Sequence, residues 1–333
     1  MTSPSLGQTT LKSSEVLRWR TRATVAITIA VASFGLALMF RLAFNQQSSD
    51  FDQIVVGAQR ALRGLTPYTA TALPGLEWPI YYPMPALVLG LPFAFLSLPW
   101  AHAMFVGISA GIFAWASSAD DGSKLLGIFT WPYVLTVSLG QWGPLLIASA
   151  LLPGLGWIAI VKPNLGLALA AGYAPRWARG RSLWINLLAL STLVIGSFAL
   201  RPGWVVEWLA VLRGPTTHMI IPLTILGGPV LLLALIRWRL PEARFLAALA
   251  CMPQTFSSYD SLLLFLVTRT RREALVMVAA TTVMTTIVAL VGPASTYAET
   301  VHRFASLRIA VVYLPAVIIV LRRTNRPAKA IFS

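Results

Sequence analysis

The chain has 333 residues, of which 57% are hydrophobic and only 11% charged, with a mean hydropathy of +0.73. Soluble domains carry charge on about a quarter of their residues, so this chain cannot cover itself with a water-compatible surface and is expected to be an all-α polytopic membrane protein. Its formal charge of +15 comes from 26 Lys and Arg against 11 Asp and Glu; because the basic residues collect in short joints between apolar runs, they read as topology signals, and no nucleic-acid partner is expected.

In chain order, the tail 1–22 carries Lys12, Arg18, Arg20 and Arg22 and is expected in the cytoplasm. Val25–Phe40 is followed by Arg41 rather than by a small-residue cleavage site, so it reads as an uncleaved first span, about Ala23–Leu42. That span delivers the loop 43–84 to the outer face. Within the loop Phe51, Ile54, Val55, Ala58 and Leu62 recur at helical spacing, with Gln53, Gln59, Arg60 and Arg63 on other faces. The pattern predicts a short amphipathic helix lying on the outer surface, ended by Gly64 and Pro67. Pro74, Pro79, Pro83 and Pro85 keep much of the remaining loop irregular.

Spans 2 and 3 fall at about Pro85–Leu98 and Ala101–Ala116, and spans 4, 5 and 6 at about Leu125–Leu139, Pro144–Leu155 and Gly156–Ala174. Spans 4 and 5 are shorter than the roughly 20 residues a perpendicular crossing needs, so they are expected to face protein or a cavity. Arg176, Arg179 and Arg181 mark the inside again. Spans 7 and 8, Leu183–Leu200 and Met219–Ile236, come next. Phe245–Leu266 lies between two basic clusters and is interrupted by Pro253, Gln254 and Ser257–Asp260, which predicts a hairpin of two half-helices meeting near the outer side, or a re-entrant unit. Span 11, Ala274–Val291, leads to an outer segment Gly292–Arg303, and span 12, Ser306–Leu321, returns to Arg322, Arg323, Arg326 and Lys329. The expectation is a single transmembrane domain, 1–333, with about ten to twelve crossings and both termini cytoplasmic.

In so uncharged a chain, polar groups away from the inside clusters single themselves out. Asp50 and Asp52 come directly after span 1; such carboxylates can act as a base, hold a hydroxyl or bind a cation, while Asp50 with Gln53 also fits a capping box. Trp78, Tyr81 and Tyr82 stand where the loop returns to the membrane and suit either a sugar or lipid platform or interfacial anchoring. Lys162 with Pro163 interrupts an apolar span, pointing to a phosphate or a carboxylate partner. Arg201, Arg213 and His218, on outer joints, are candidates for an electropositive phosphate patch. Tyr259 and Asp260 lie at the apex of the broken hairpin. Gln141 and Trp142 read as structural and cytoplasmic. The single Cys251, the three histidines and the absence of a nucleotide-binding glycine motif, an HExxH pair or a GxSxG elbow leave a pump, a zinc enzyme and a serine hydrolase without their usual parts.

Asp50-Phe51-Asp52, Gly57-Ala58-Gln59-Arg60-Ala61-Leu62-Arg63-Gly64, Pro67-Tyr68 and Tyr81-Tyr82-Pro83-Met84-Pro85 together resemble the first outer loop of the polytopic glycosyltransferases of family 87. Lys162-Pro163 resembles their intramembrane Lys-Pro, and Ser257-Ser258-Tyr259-Asp260 a later polar break. Met84 stands where the family's second proline is expected. The resemblance implies a GT-C-like, mannosyltransferase-like enzyme of a bacterial cell membrane. Its partners would be a polyprenyl-phosphate-linked sugar donor, an extracytoplasmic glycolipid or glycan acceptor, and membrane lipids. By the same resemblance Asp50 is the base, Asp52 its alternative, and Tyr68 joins the substrate-binding set. One base with a phosphate leaving group suits a single displacement with inversion, requiring neither a metal nor another cofactor. The competing expectation is a transporter or lipid flippase without enzymatic activity, in which broken helices, Lys162 and Asp260 serve solute binding.

Overall fold

The computed structural model describes residues 6–119, 122–214, 219–255 and 258–325, with side chains from Trp19 onward. Among them the regular structure is helical, apart from one isolated antiparallel bridge between Ile220 and Gln254. The α-helices are α1 (Leu6–Leu38), α2 (Asp50–Leu62), α3 (Met84–Gly90), α4 (Leu98–Ser117), α5 (Trp131–Leu139), α6 (Gly143–Leu151), α7 (Pro163–Trp177), α8 (Gly180–Leu200), α9 (Trp204–Leu212), α10 (Pro241–Cys251), α11 (Arg271–Val291), α12 (Tyr297–Arg308) and α13 (Leu314–Leu321). Longer 3₁₀ segments occupy Ser123–Phe129, Pro153–Val161, Gly228–Arg237 and Ser258–Val267.

Five stretches are long and apolar enough to cross a membrane: Trp19–Ala43, Leu98–Ser117, Gly180–Leu200, Arg271–Val291 and Tyr297–Leu321. A sixth is formed if α5 and α6, bent by 111° at their joint, count as one broken span. The remaining apolar runs of the sequence fold as short pieces, so full-length helices account for about half of the expected ten to twelve crossings. Proline sits in the first turn of α3, α5, α6, α7 and α10. Lacking an N–H, it costs nothing there but does not let a preceding helix run through, which is why these segments start afresh. The segment Gly292–Arg303, read as an outer loop, is helical from Tyr297, because Thr296 and Glu299 cap the start of α12 reciprocally.

Contrary to the surface placement expected for it, α2 is enclosed. Phe51, Ile54, Val55 and Ala58 are buried as the spacing predicts, but so are Asp52, Gln53 and Gly57, whereas Leu62 is exposed. The helix packs on α3 at a small-residue crossing: a Cβ on Gly90 would come 2.5 Å from the Ile54 side chain. Phe51 stacks on Phe105 of α4 at a 4.0 Å centroid separation.

At the opposite end of the sequence, Arg323 binds Glu242 at 3.4 Å and Glu273 at 2.9 Å, and Arg269 binds Glu242 at 2.9 Å. These pairs gather the start of α10, the start of α11 and the end of α13. They also bring both ends of the 241–267 hairpin together.

Candidate functional site

The site begins where Ser49, in extended conformation, caps α2. Asp52, not Gln53, completes the cap: its Oδ2 accepts from the Ser49 N–H at 2.8 Å. The same oxygen accepts from Arg41 Nη1 at 2.6 Å, and both side chains of the pair are nearly inaccessible. Arg41 reaches this point from a π-turn, Met39–Ala43, that ends the first apolar helix. Asp52, the alternative base of the sequence reading, is thus committed to a buried ion pair and does not line the cavity next to it.

Asp50, one face round the helix, does line that cavity, which has a volume of about 360 Å³. Gln53, Glu77, Trp78, Tyr81, Tyr82 and Lys162 line it too, as do Thr255, Tyr259 and Tyr297, with Leu135, Leu139, Val161 and Met219 giving it an apolar side. Burial pushes the Asp50 carboxyl up to about 6, against the opposing pull of Lys162 and of the Gln141 hydrogen bond. Gln141 Nε2 donates to Asp50 Oδ2 in a short contact, and Gln141 Oε1 accepts from Lys162 Nζ at 3.1 Å.

Lys162 occupies the break between the 3₁₀ segment Pro153–Val161 and α7. Its Nζ lies 3.7 Å from Asp260 Oδ1 and 5.1 Å from the centroid of the Tyr259 ring. Asp260 Oδ2 also accepts from Thr255 Oγ1 at 2.6 Å, and Thr255 Oγ1 is 2.9 Å from the Tyr259 hydroxyl. Behind them Arg308, buried, donates to Ser258 Oγ at 3.3 Å. Asn164 ties the start of α7 to the hairpin through the Pro253 carbonyl at 2.7 Å. Two chain breaks, both marked by proline, therefore place a lysine and a carboxylate side by side.

The aromatic wall is set from behind. Trp208 Nε1 donates to the Tyr81 carbonyl at 2.9 Å, the Tyr68 hydroxyl to the Tyr82 carbonyl at 3.1 Å, and the Tyr81 N–H to Gln53 Oε1 at 3.4 Å. Tyr68 thus supports Tyr82 without lining the cavity. It lies instead in a second depression of about 400 Å³ with Thr66, Arg201 and Glu207. Arg201 is paired there with Glu207 at 2.8 Å, and Thr66 Oγ1 donates to the same carboxylate at 2.5 Å. Arg213, exposed at the end of α9, lines neither. Neither arginine is part of the cavity that holds Asp50 and Lys162; His218 lies outside the described residues.

Gln141 and Trp142 depart from the sequence reading most. Both are buried, and Gln141 is hydrogen-bonded to Asp50. The reason is the turn between α5 and α6, where Gly140 adopts φ +64° and a Cβ there would meet Phe51 Cβ at 2.8 Å. Only glycine lets this turn press against α2. In the sequence the available signal was only a glutamine between two short apolar runs. Among the described residues no group of three or more His, Cys, Asp or Glu side chains gathers that could hold a metal. No protein-family profile, no curated protein and no solved structure matches the chain.

Proposed function

We propose that the chain is a polytopic glycosyltransferase that moves a hexose or pentose from a polyprenyl-phosphate donor to an extracytoplasmic glycolipid or glycan, with inversion. The observation that carries this reading is a single cavity where the Asp50 carboxylate stands one amide away from a lysine, with Glu77 and a wall of aromatic rings also lining it. Aromatic faces suit a sugar, the lysine suits a phosphate, and the apolar side formed by Leu135, Leu139, Val161 and Met219 suits the first units of a lipid.

In the proposed reaction the acceptor hydroxyl attacks the anomeric carbon, its proton passing to Asp50. The bond from that carbon to the phosphate oxygen breaks as the new glycosidic bond forms, and the phosphate leaves with the electron pair, its charge met by Lys162. One base and an anionic leaving group give a single displacement. The placement that goes with this reading is a bacterial cell membrane, both termini cytoplasmic and the cavity outward, with the short helical segments completing a GT-C-like arrangement. Arg201 and Arg213, lying outside the cavity, take no part in it.

The test is transfer of radiolabel from a panel of polyprenyl-phosphate sugars to membrane glycolipid or glycan fractions by purified, reconstituted protein. Transfer by the wild type that is lost in a folded Asp50→Asn variant supports the reading. No transfer from any donor, with authentic acceptors and folded protein, favours a transporter or flippase.

A further inference from the structure

Gln141 hydrogen-bonds to both Asp50 and Lys162. An ionised carboxylate can only accept hydrogen bonds and an ammonium can only donate them. A primary amide satisfies both at once and in one orientation only: NH₂ toward Asp50, C=O toward Lys162, as found. Gln141 is 2% exposed, so its amide is largely closed to solvent. Its backbone is fixed by the turn that Gly140 makes against Phe51, by the Gln141 N–H bond to the Thr136 carbonyl at 3.0 Å, and by Trp142 packed edge-on to Phe105 at 4.8 Å.

We infer that Gln141 is a positioning residue, which holds Asp50 by Oδ2, leaves Oδ1 to receive the acceptor proton, and keeps Lys162 on Asp260, poised for the donor phosphate. The inference rests on the glycosyl-transfer reading for its consequence and on the contacts of Gln141 for its geometry.

Two variants and two readouts test it. Gln141→Leu removes both bonds; Gln141→Glu differs in one group, keeps the shape, and carries the test if the leucine variant does not fold. Transfer kinetics across pH are read beside pH-difference infrared spectra of the carboxyl band, with Asp50→Asn identifying the Asp50 signal. Loss of a hydrogen bond that favours the anion raises the carboxyl, so in either variant the acid limb of kcat and the Asp50 band move upward together, by roughly one unit. With the carboxyl moved from about 6 to about 7, the ionised fraction at neutral pH, and kcat with it, falls about twofold and by about tenfold on the acid side, and the donor KM changes far less. A filler role would lower the yield of folded protein and leave both titrations in place, and that result overturns the inference. Should wild-type protein transfer nothing, the glycosyltransferase reading is what fails, and the infrared titration alone still decides whether Gln141 governs Asp50.

Discussion

Arg41 and Asp52 form a buried ion pair, 2.6 Å from Nη1 to Oδ2, that pins the end of the first apolar helix to the start of α2. Because Asp52 also caps α2 through the Ser49 N–H, this contact fixes the rotation of the helix and with it the direction in which Asp50 projects.

Removing one partner of a buried pair leaves the other charge uncompensated, at a cost of about 3–5 kcal/mol. Arg41→Met or Asp52→Asn is therefore predicted to lower thermal stability in detergent sharply. The double variant Arg41→Met with Asp52→Leu should recover part of the loss. Single variants as stable as wild type would show that the pair does not hold α2.

The pH behaviour is set by the raised Asp50 carboxyl. In the proposed role of base it must be ionised, so transfer should rise with pH through about 6 and level off above it. Stability runs the other way. A carboxyl whose folded value lies above the unfolded one binds its proton more tightly in the native state, so its contribution is present below the ordinary carboxylate range and is lost as pH rises through about 6. Asp50→Asn should then be at least as stable as wild type at pH 7, as differential scanning fluorimetry can measure.

Gly140→Ala is predicted to cost about 1–3 kcal/mol from the left-handed backbone alone, with the clash against Phe51 added to it. Because this turn carries Gln141, transfer should fall by more than the loss of folded protein explains. Comparing specific activity per folded molecule separates the two effects.

Lys162→Met removes the cation next to Asp260 and the donor to Gln141. The donor KM should rise about tenfold or more, as for a lost charge-assisted contact to phosphate, and Lys162→Arg should recover part of it. An unchanged donor KM in Lys162→Met would place the phosphate elsewhere.

Much of this was legible in the sequence, because hydropathy and basic joints locate long apolar helices whatever their packing. α4, α8 and α11 fall close to where the apolar runs predict them, and the start of α2 at Asp50 agrees with its helical spacing. The enclosure of α2 was not legible: Gln53 read as part of a polar face, and its burial, like that of Gly57 against Leu87 and Ile80, comes from tertiary packing. Arg41 was read as a flank of span 1, since nothing local says that a π-turn would carry it to Asp52. The gathering of Asp50, Lys162 and Asp260 joins segments far apart in the chain, each marked by a charge or a proline in an apolar context. Their mutual distances come from tertiary packing alone. Gln141 stayed hidden because an uncharged amide between apolar runs looks like a joint until the left-handed Gly140 turn folds it inward.

The most direct test of the central claim is single-turnover transfer from a defined polyprenyl-phosphate sugar by reconstituted protein, with Asp50→Asn and Asp52→Asn each normalised to the amount of folded protein. The proposed assignment predicts that Asp50→Asn folds, binds donor and transfers nothing, whereas Asp52→Asn loses stability but keeps transfer in the fraction that folds. Transfer surviving in Asp50→Asn and vanishing in folded Asp52→Asn would contradict the assignment of the base to Asp50.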